Sequence, residues 1–221
     1  GTSNFTKAAA MTRQEVLTAV LTGIDAVRVL KEREYRLLTV GEMGIGNTTT
    51  SSAVASVLLR KEPELVTGCG AGLDSAGLKR KTKAIRRGID LHHPDPMDGM
   101  DVLQKVGGFD LAAMAGTFLG GAIYHVPVVI DGVIAAAAAA AAGRIAPAAT
   151  DYMLAAHVSA EPASIWLLDL IGVTPAIRAG LRLGEGTGAL ALFPLLDMAL
   201  SIYRDMDTFA EMEIEEYKPL I

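Results

Sequence analysis

Between positions 16 and 30 a set of apolar residues falls at Val16, Leu17, Val20, Leu21, Ile24, Val27 and Leu30, the spacing of one helical face. Thr12-Arg13-Gln14-Glu15, just ahead of this stripe, has the form of a capping box. In such a box the threonine oxygen accepts from the third N–H and the glutamate reaches back to the cap. Residues 35–40 then read as a strand, 41–47 as a loop and 48–59 as a helix. Strand, glycine loop and helix in that order form the βα unit of a parallel sheet.

The order recurs downstream. Gly107-Gly108-Phe109-Asp110 precedes a helix predicted over 111–121, whose Ala112, Ala113, Ala115 and Gly116 suit close packing. Residues 126–130 are continuously apolar, as expected of a strand covered on both faces. Asp131-Gly132 ends that strand, and 133–142 read as a helix. Residues 152–158 give another strand, closed by Ser159-Ala160-Glu161-Pro162. Residues 189–203 form the last long helix, with a kink expected at Pro194. The alanine run 135–142 is compositionally simple, but alanine is the best helix former, so order is expected there. The acidic tail, 211–216, reads as exposed helix, and no internal repeat or flexible linker is visible.

With 221 residues, 51% of them hydrophobic, the chain can bury the core of one α/β domain. A net charge of −5 argues against a nucleic-acid or anionic-membrane surface. The richest basic cluster, Lys79-Arg80-Lys81-Thr82-Lys83 with Arg86-Arg87, reads as a solvated helix face. Residues 126–142 are hydrophobic enough to suggest a membrane span, but Pro127, Asp131, Gly132 and the alanines resolve them into strand, turn and helix. Cys69 is the single cysteine, so no intrachain disulfide forms. That fits a reducing cytoplasm, with Cys69 expected to be a buried, inert thiol. The chain opens at Gly1 without a methionine or a signal-peptide pattern, as expected of a processed product or a fragment.

Two stretches carry candidate chemistry. Arg182-Leu183-Gly184-Glu185-Gly186-Thr187-Gly188 places one carboxylate between glycines at a helix mouth. A ligand can approach such a side chain closely, and the N–H groups beside it favour anions. Thr187 is available as the cap, which leaves Glu185 free for acid–base work. Gly41-Glu42-Met43-Gly44-Ile45-Gly46-Asn47-Thr48-Thr49-Thr50 has the same design, and two such mouths predict one shared pocket. This second loop is close to a Walker A loop, but Asn47 stands where the phosphate-reaching lysine belongs, so ATP or GTP hydrolysis is not expected. The loop suits a phosphate cradle using N–H groups, Thr48 and Thr49, and equally a tight turn with an Asn/Thr cap.

Other candidates read more simply as structure. Val128-Val129-Ile130-Asp131 matches the pyrophosphate-sugar strand of the common phosphoribosyltransferases poorly, because Gly132 replaces the second acid; Asp131 is expected to cap the alanine helix. His92 and His93 in His-His-Pro-Asp-Pro read as a surface turn, since no second ligand stands at helical spacing. His157, Ser159 and Glu161 are polar residues at a strand end, and a satisfied structural network accounts for them as well as a site does.

Taken together, the motifs resemble the nicotinate-nucleotide:dimethylbenzimidazole phosphoribosyltransferase family. The resemblance rests on Gly1-Thr2-Ser3-Asn4-Phe5, the Gly41–Thr49 loop, Thr67-Gly68-Cys69-Gly70-Ala71-Gly72-Leu73-Asp74, the Gly107–Gly116 segment, Pro127-Val128-Val129-Ile130-Asp131-Gly132, Ser159-Ala160-Glu161-Pro162 and the Leu183–Gly188 turn, in family order along the chain. It implies a three-layer α/β, Rossmann-like fold with a mostly parallel sheet, working as a homodimer. It implies transfer of 5-phosphoribosyl from nicotinate mononucleotide to dimethylbenzimidazole, giving α-ribazole phosphate and nicotinate in cobalamin nucleotide-loop assembly. No cofactor and no metal is implied, and the partners are small-molecule substrates rather than nucleic acid or membrane.

Residue by residue, Glu185 matches the family's catalytic base, framed by Gly184 and Gly186. Glu42, Met43 and Leu183 resemble pocket residues around base and ribose. Gly44, its neighbours Ile45, Gly46, Asn47 and Thr48, and Lys81 resemble the phosphate side, with Lys79 and Lys83 as alternatives to Lys81. Family members carry a further N-terminal region that supplies a small helical domain and part of the base pocket. Residues 1–221 are therefore expected to be the large domain, a single α/β unit. The competing reading is a non-catalytic nucleotide- or phosphate-binding fragment that needs that region or a partner chain.

Overall fold

The structure, a computed structural model, describes residues 1–70 and 72–215. Ala71 of the glycine-rich segment and Glu216 of the acidic tail lie outside the described residues. The predicted capping box forms: Thr12 accepts from the Glu15 N–H, and Glu15 accepts from the Thr12 N–H at 2.7 Å. It opens α1, Arg13–Glu32. Val16, Val20 and Val27 of the stripe are buried, whereas Leu17 and Leu21 are exposed because Ala19 and Gly23 turn inward in their place. Gly23 and Gly116 let α1 lie almost backbone to backbone on α6, Phe109–Tyr124.

Strands β1 (Leu38–Val40), β2 (Val128–Ile130), β3 (Met153–His157) and β4 (Pro175–Ile177) form one wholly parallel sheet in the order β1-β2-β3-β4. Leu38 pairs with Val128, Val128 with Met153, and His157 with Ile177. The strands are shorter than the apolar runs that predicted them; residues 35–37 precede the ladder.

Side chains alternate between two cores, as a pleated strand requires. Val128, Ile130, Met153 and Ala155 face the larger core, built from α1, α2 (Thr48–Leu59), α5 (Gly99–Val106), α6, α7 (Gly132–Ile145) and α8 (Ser164–Leu170). Val129 and Ala156 face Ala189 and Leu192 of α9, Thr187–Asp205, which covers the other side. The result is helix, sheet, helix, a three-layer α/β fold. The alanines of α7 are all buried at its centre, where short side chains let neighbouring helices close in. α3 (Pro63–Val66) and α4 (Ser75–His92) follow α2. A 3₁₀ turn, Pro147–Tyr152, leads into β3.

Pro194 lies inside α9. Glu211 to Glu213 form an exposed turn instead of the expected helix. No helix among the described residues is long and apolar enough to cross a membrane.

Candidate active site

In an open parallel sheet the loops beyond the carboxyl ends of the strands form the ligand crevice. Here those four loops converge. The Glu42 N–H after β1 donates to the Gly184 carbonyl after β4 at 2.8 Å. The approach is so close that a Cβ on Gly41 would overlap the Gly186 backbone, and one on Gly132, after β2, would stand 2.8 Å from the Gly184 Cα. Gly186 itself has φ +92°, a left-handed turn that admits glycine readily. The two glycine-flanked acids therefore share one pocket, as their sequences predicted. It holds about 280 Å³.

Of the residues the sequence singled out, Glu42, Met43, Gly44, Thr48, Lys81, Leu183, Gly184 and Glu185 line this cavity. Ile45, Gly46, Asn47 and Gly186 belong to the same loops but do not line the cavity, and Ile45 is exposed to solvent. Glu185 is exposed at the rim and makes no ion pair among the described residues. The first turn of α9 starts at Thr187, with Gly186 at the cap position and no side-chain cap, so the Glu185 carboxylate is not consumed in capping.

Lys81 reaches the cavity from α4. It is 7% exposed, while Lys79 and Lys83 on the same helix face solvent. Its ammonium donates to Thr48 Oγ1 at 3.0 Å and to the Gly68 carbonyl at 3.1 Å. Burial pushes the Lys81 pKa down, and the Glu161 and Cys69 charges oppose that shift. Thr48 opens α2, whose cap residue Asn47 makes no side-chain capping bond, so first-turn N–H groups stand near this ammonium. Asn47 instead donates from Nδ2 to Asp110 Oδ2 at 2.5 Å, tying the loop to α6. The Gly44 N–H donates to Glu42 Oε2, also at 2.5 Å.

Asp131, Ser159, Glu161 and Arg182 also line the cavity; the sequence left Ser159 and Glu161 open between a site and a structural network, and read Asp131 as a helix cap. Asp131 occupies the cap position of α7 but makes no capping bond; its carboxylate, 1% exposed, turns instead toward His157 Nδ1 at 3.3 Å. The cap reading is thus corrected by geometry. Neither His157 nitrogen has a hydrogen-bond partner among the described residues, whereas Ser159 and Glu161 are tied locally, the Glu161 N–H donating to Ser159 Oγ at 3.3 Å and the Ser159 N–H to Ser164 Oγ at 3.0 Å. Burial lowers the His157 pKa, with Asp131 pulling the other way. Cys69 is exposed, against the expectation of a buried thiol, because it sits in the turn after α3. His92 ends α4 with Nε2 against the Phe5 carbonyl, and no cluster of three metal-binding side chains occurs among the described residues.

This geometry has counterparts. A family profile described as Phosphoribosyltransferase matches residues 1–214. Nicotinate-nucleotide–dimethylbenzimidazole phosphoribosyltransferase of Ruminiclostridium cellulolyticum is 49% identical over 220 residues, and that of Clostridium acetobutylicum 48% identical over the same length. Each match takes in 100% of this chain and 62% of the relative, so the chain spans about 62% of the length of the curated relatives it matches. The crystal structure of CobT from Thermus thermophilus superposes with a TM-score of 0.90 at 39% identity, covering 98% of this chain and 65% of that one. With sequence and fold in agreement, the chain belongs to the phosphoribosyltransferase family of the nicotinate-nucleotide–dimethylbenzimidazole enzymes.

Proposed function

We propose that these residues form the large domain of an enzyme that moves 5-phosphoribosyl from nicotinate mononucleotide to dimethylbenzimidazole, releasing nicotinate and α-ribazole phosphate. The observation that carries this reading is the bond between the two glycine turns, which goes with Glu185 and Lys81 lining one cavity. The phosphate goes to Lys81, Thr48 and the start of α2, where charge-assisted bonds and helix N–H groups suit an anion. The nicotinate ring of the nucleotide is a cationic pyridinium. Around the cavity Glu42, Asp131, Glu161 and Glu185 outnumber Lys81 and Arg182, a field that favours the positive charge of that ring.

The bare ring nitrogen of the base attacks C1 of the ribose. The bond from C1 to nicotinate breaks and its electron pair neutralises the pyridinium. Positive charge grows on the base, whose other N–H gives its proton to Glu185. Attack opposite the leaving group turns a β-nucleotide into an α-nucleotide. Holding both substrates in one cleft removes the entropic cost of their encounter from the chemical step. The reaction needs no cofactor or metal. We further infer a cytoplasmic protein, from its single cysteine, and a homodimer, from the apolar side chains that α9 leaves exposed.

The test is chromatographic detection of α-ribazole phosphate after both substrates are mixed with the protein. Glu185→Gln is expected to lower kcat about 10²- to 10⁴-fold, the range of general-base catalysis, while nicotinate mononucleotide still binds. Turnover at the unsubstituted rate would remove Glu185 from the mechanism. Binding without any product would make the chain a nucleotide-binding module instead.

A further inference from the structure

One carboxylate of the cavity lining has no hydrogen-bond donor among the described residues. Asp131 follows β2, lines the pocket, and is 1% exposed, yet neither Oδ1 nor Oδ2 has a hydrogen-bond partner among the described residues. His157, whose Nδ1 stands 3.3 Å from Asp131 Oδ1, is 3% exposed and equally unsatisfied at both ring nitrogens. Leaving a carboxylate buried and unpaired is costly, so such a group persists where something else supplies the donor. Nor is the pair filler. Gly188, in the first turn of α9, rests directly on it, and a Cβ there would stand 2.6 Å from Asp131 Oδ1 and overlap the His157 ring. Space for both side chains is kept by a glycine.

The geometry points to Asp131 as the acceptor for the ribose 2′-hydroxyl of the nucleotide, with His157 as the positioning residue that holds the carboxylate. This rests on the function proposed above. The position follows from the turns: Gly132, next to Asp131, packs on Gly184, next to Glu185. Asp131 therefore flanks the turn that serves C1, and the hydroxyl nearest C1 is the 2′. The hydroxyl donates to a free Asp131 oxygen. His157 Nδ1 faces Oδ1 from the end of β3 and fixes the carboxylate's rotation, while Gly188 closes the space above the pair.

The experiment is titration calorimetry on the 221-residue chain with nicotinate mononucleotide and with its 2′-deoxy and 3′-deoxy analogues, so turnover is not needed. The unsubstituted chain is expected to bind the 2′-deoxy analogue about tenfold or more weakly than the ribonucleotide, because the analogue leaves a buried acceptor unpaired. Asp131→Asn is expected to narrow that ratio to about twofold. His157→Gln, which keeps Asp131 in place but loosens its hold, is expected to narrow it less, and it carries the test if Asp131→Asn does not fold. Equal binding of ribonucleotide and 2′-deoxy analogue by the unsubstituted chain would overturn the assignment. So would discrimination against the 3′-deoxy analogue alone, or a ratio unchanged in both variants. In all those cases the nucleotide still binds and the parent reading stands. Absence of binding by any of the three nucleotides would overturn the parent reading and this assignment with it.

Discussion

Lys81 sits on a helix whose other lysines and arginines are exposed, Arg86 paired there with Glu62 and Glu64, and it alone of them turns inward, onto Thr48 and the Gly68 carbonyl. A buried ammonium costs desolvation, which its lowered pKa records, and an arriving phosphate offsets that cost. Lys81→Met is expected to weaken nicotinate mononucleotide binding about 10- to 100-fold, the worth of a charge-assisted hydrogen bond, without loss of fold, as calorimetry would measure. His157 makes a pH prediction of definite sign. Its folded-state pKa lies below its ordinary value, so in acid the unfolded chain takes up a proton that the folded chain resists. Stability is therefore full above about pH 6.5, the unperturbed histidine value, and falls as pH drops below it. His157→Gln is expected to flatten that slope in urea titrations run at stepped pH. Glu185 and Glu42 were legible in the sequence because their glycines are adjacent in the chain. Asp131 and His157 were not, because 26 positions separate them and only the pairing of β2 with β3 brings their ends together. Cys69 shows the converse: composition suggests a buried thiol, and the turn after α3 exposes it.

Helices announced themselves where their own residues fix them. The capping box and stripe of α1, and the glycine loop before α2, located those starts to the residue. β4 shows no strand pattern in the sequence because Pro175-Ala176-Ile177 opens on a proline, tolerated here at the first residue of an edge strand, and lacks the continuous apolar run that marks β2. α5 and α8 were missed as well, being 8 and 7 residues long, too short to display a repeat of their apolar face. α4 showed only its charged side, since its inward face contains Gly77, Lys81, Thr82 and Gly88. The α1–α6 contact gives a test at this scale. A Cβ on Gly116 would overlap the Val20 carbonyl. Gly116→Ala, which helix propensity alone would favour, is expected to lower stability by about 1–3 kcal/mol through overpacking, seen as a lower urea midpoint with unchanged slope.

Seen whole, the molecule covers one side of its sheet with a thick helical layer and the other with α9 alone. That helix is apolar on both sides: Ala189 and Leu192 meet the sheet, while Leu190, Met198, Ile202 and Tyr203 face outward, Tyr203 at 87% exposure. Exposed apolar surface of this kind marks association. Sedimentation is expected to give twice the 23.1 kDa chain mass, and a monomer at micromolar concentration would remove the homodimer. β1 and β4 form the two edges of the sheet, yet the turns that follow them bond to each other above its middle. A nucleotide lodged beneath that clasp acts as a staple across the sheet's full width. Amide protons near Val40 and near Ile177, far apart in the chain, should then slow their exchange with solvent in step when ligand is added, as though one latch had been closed on both margins.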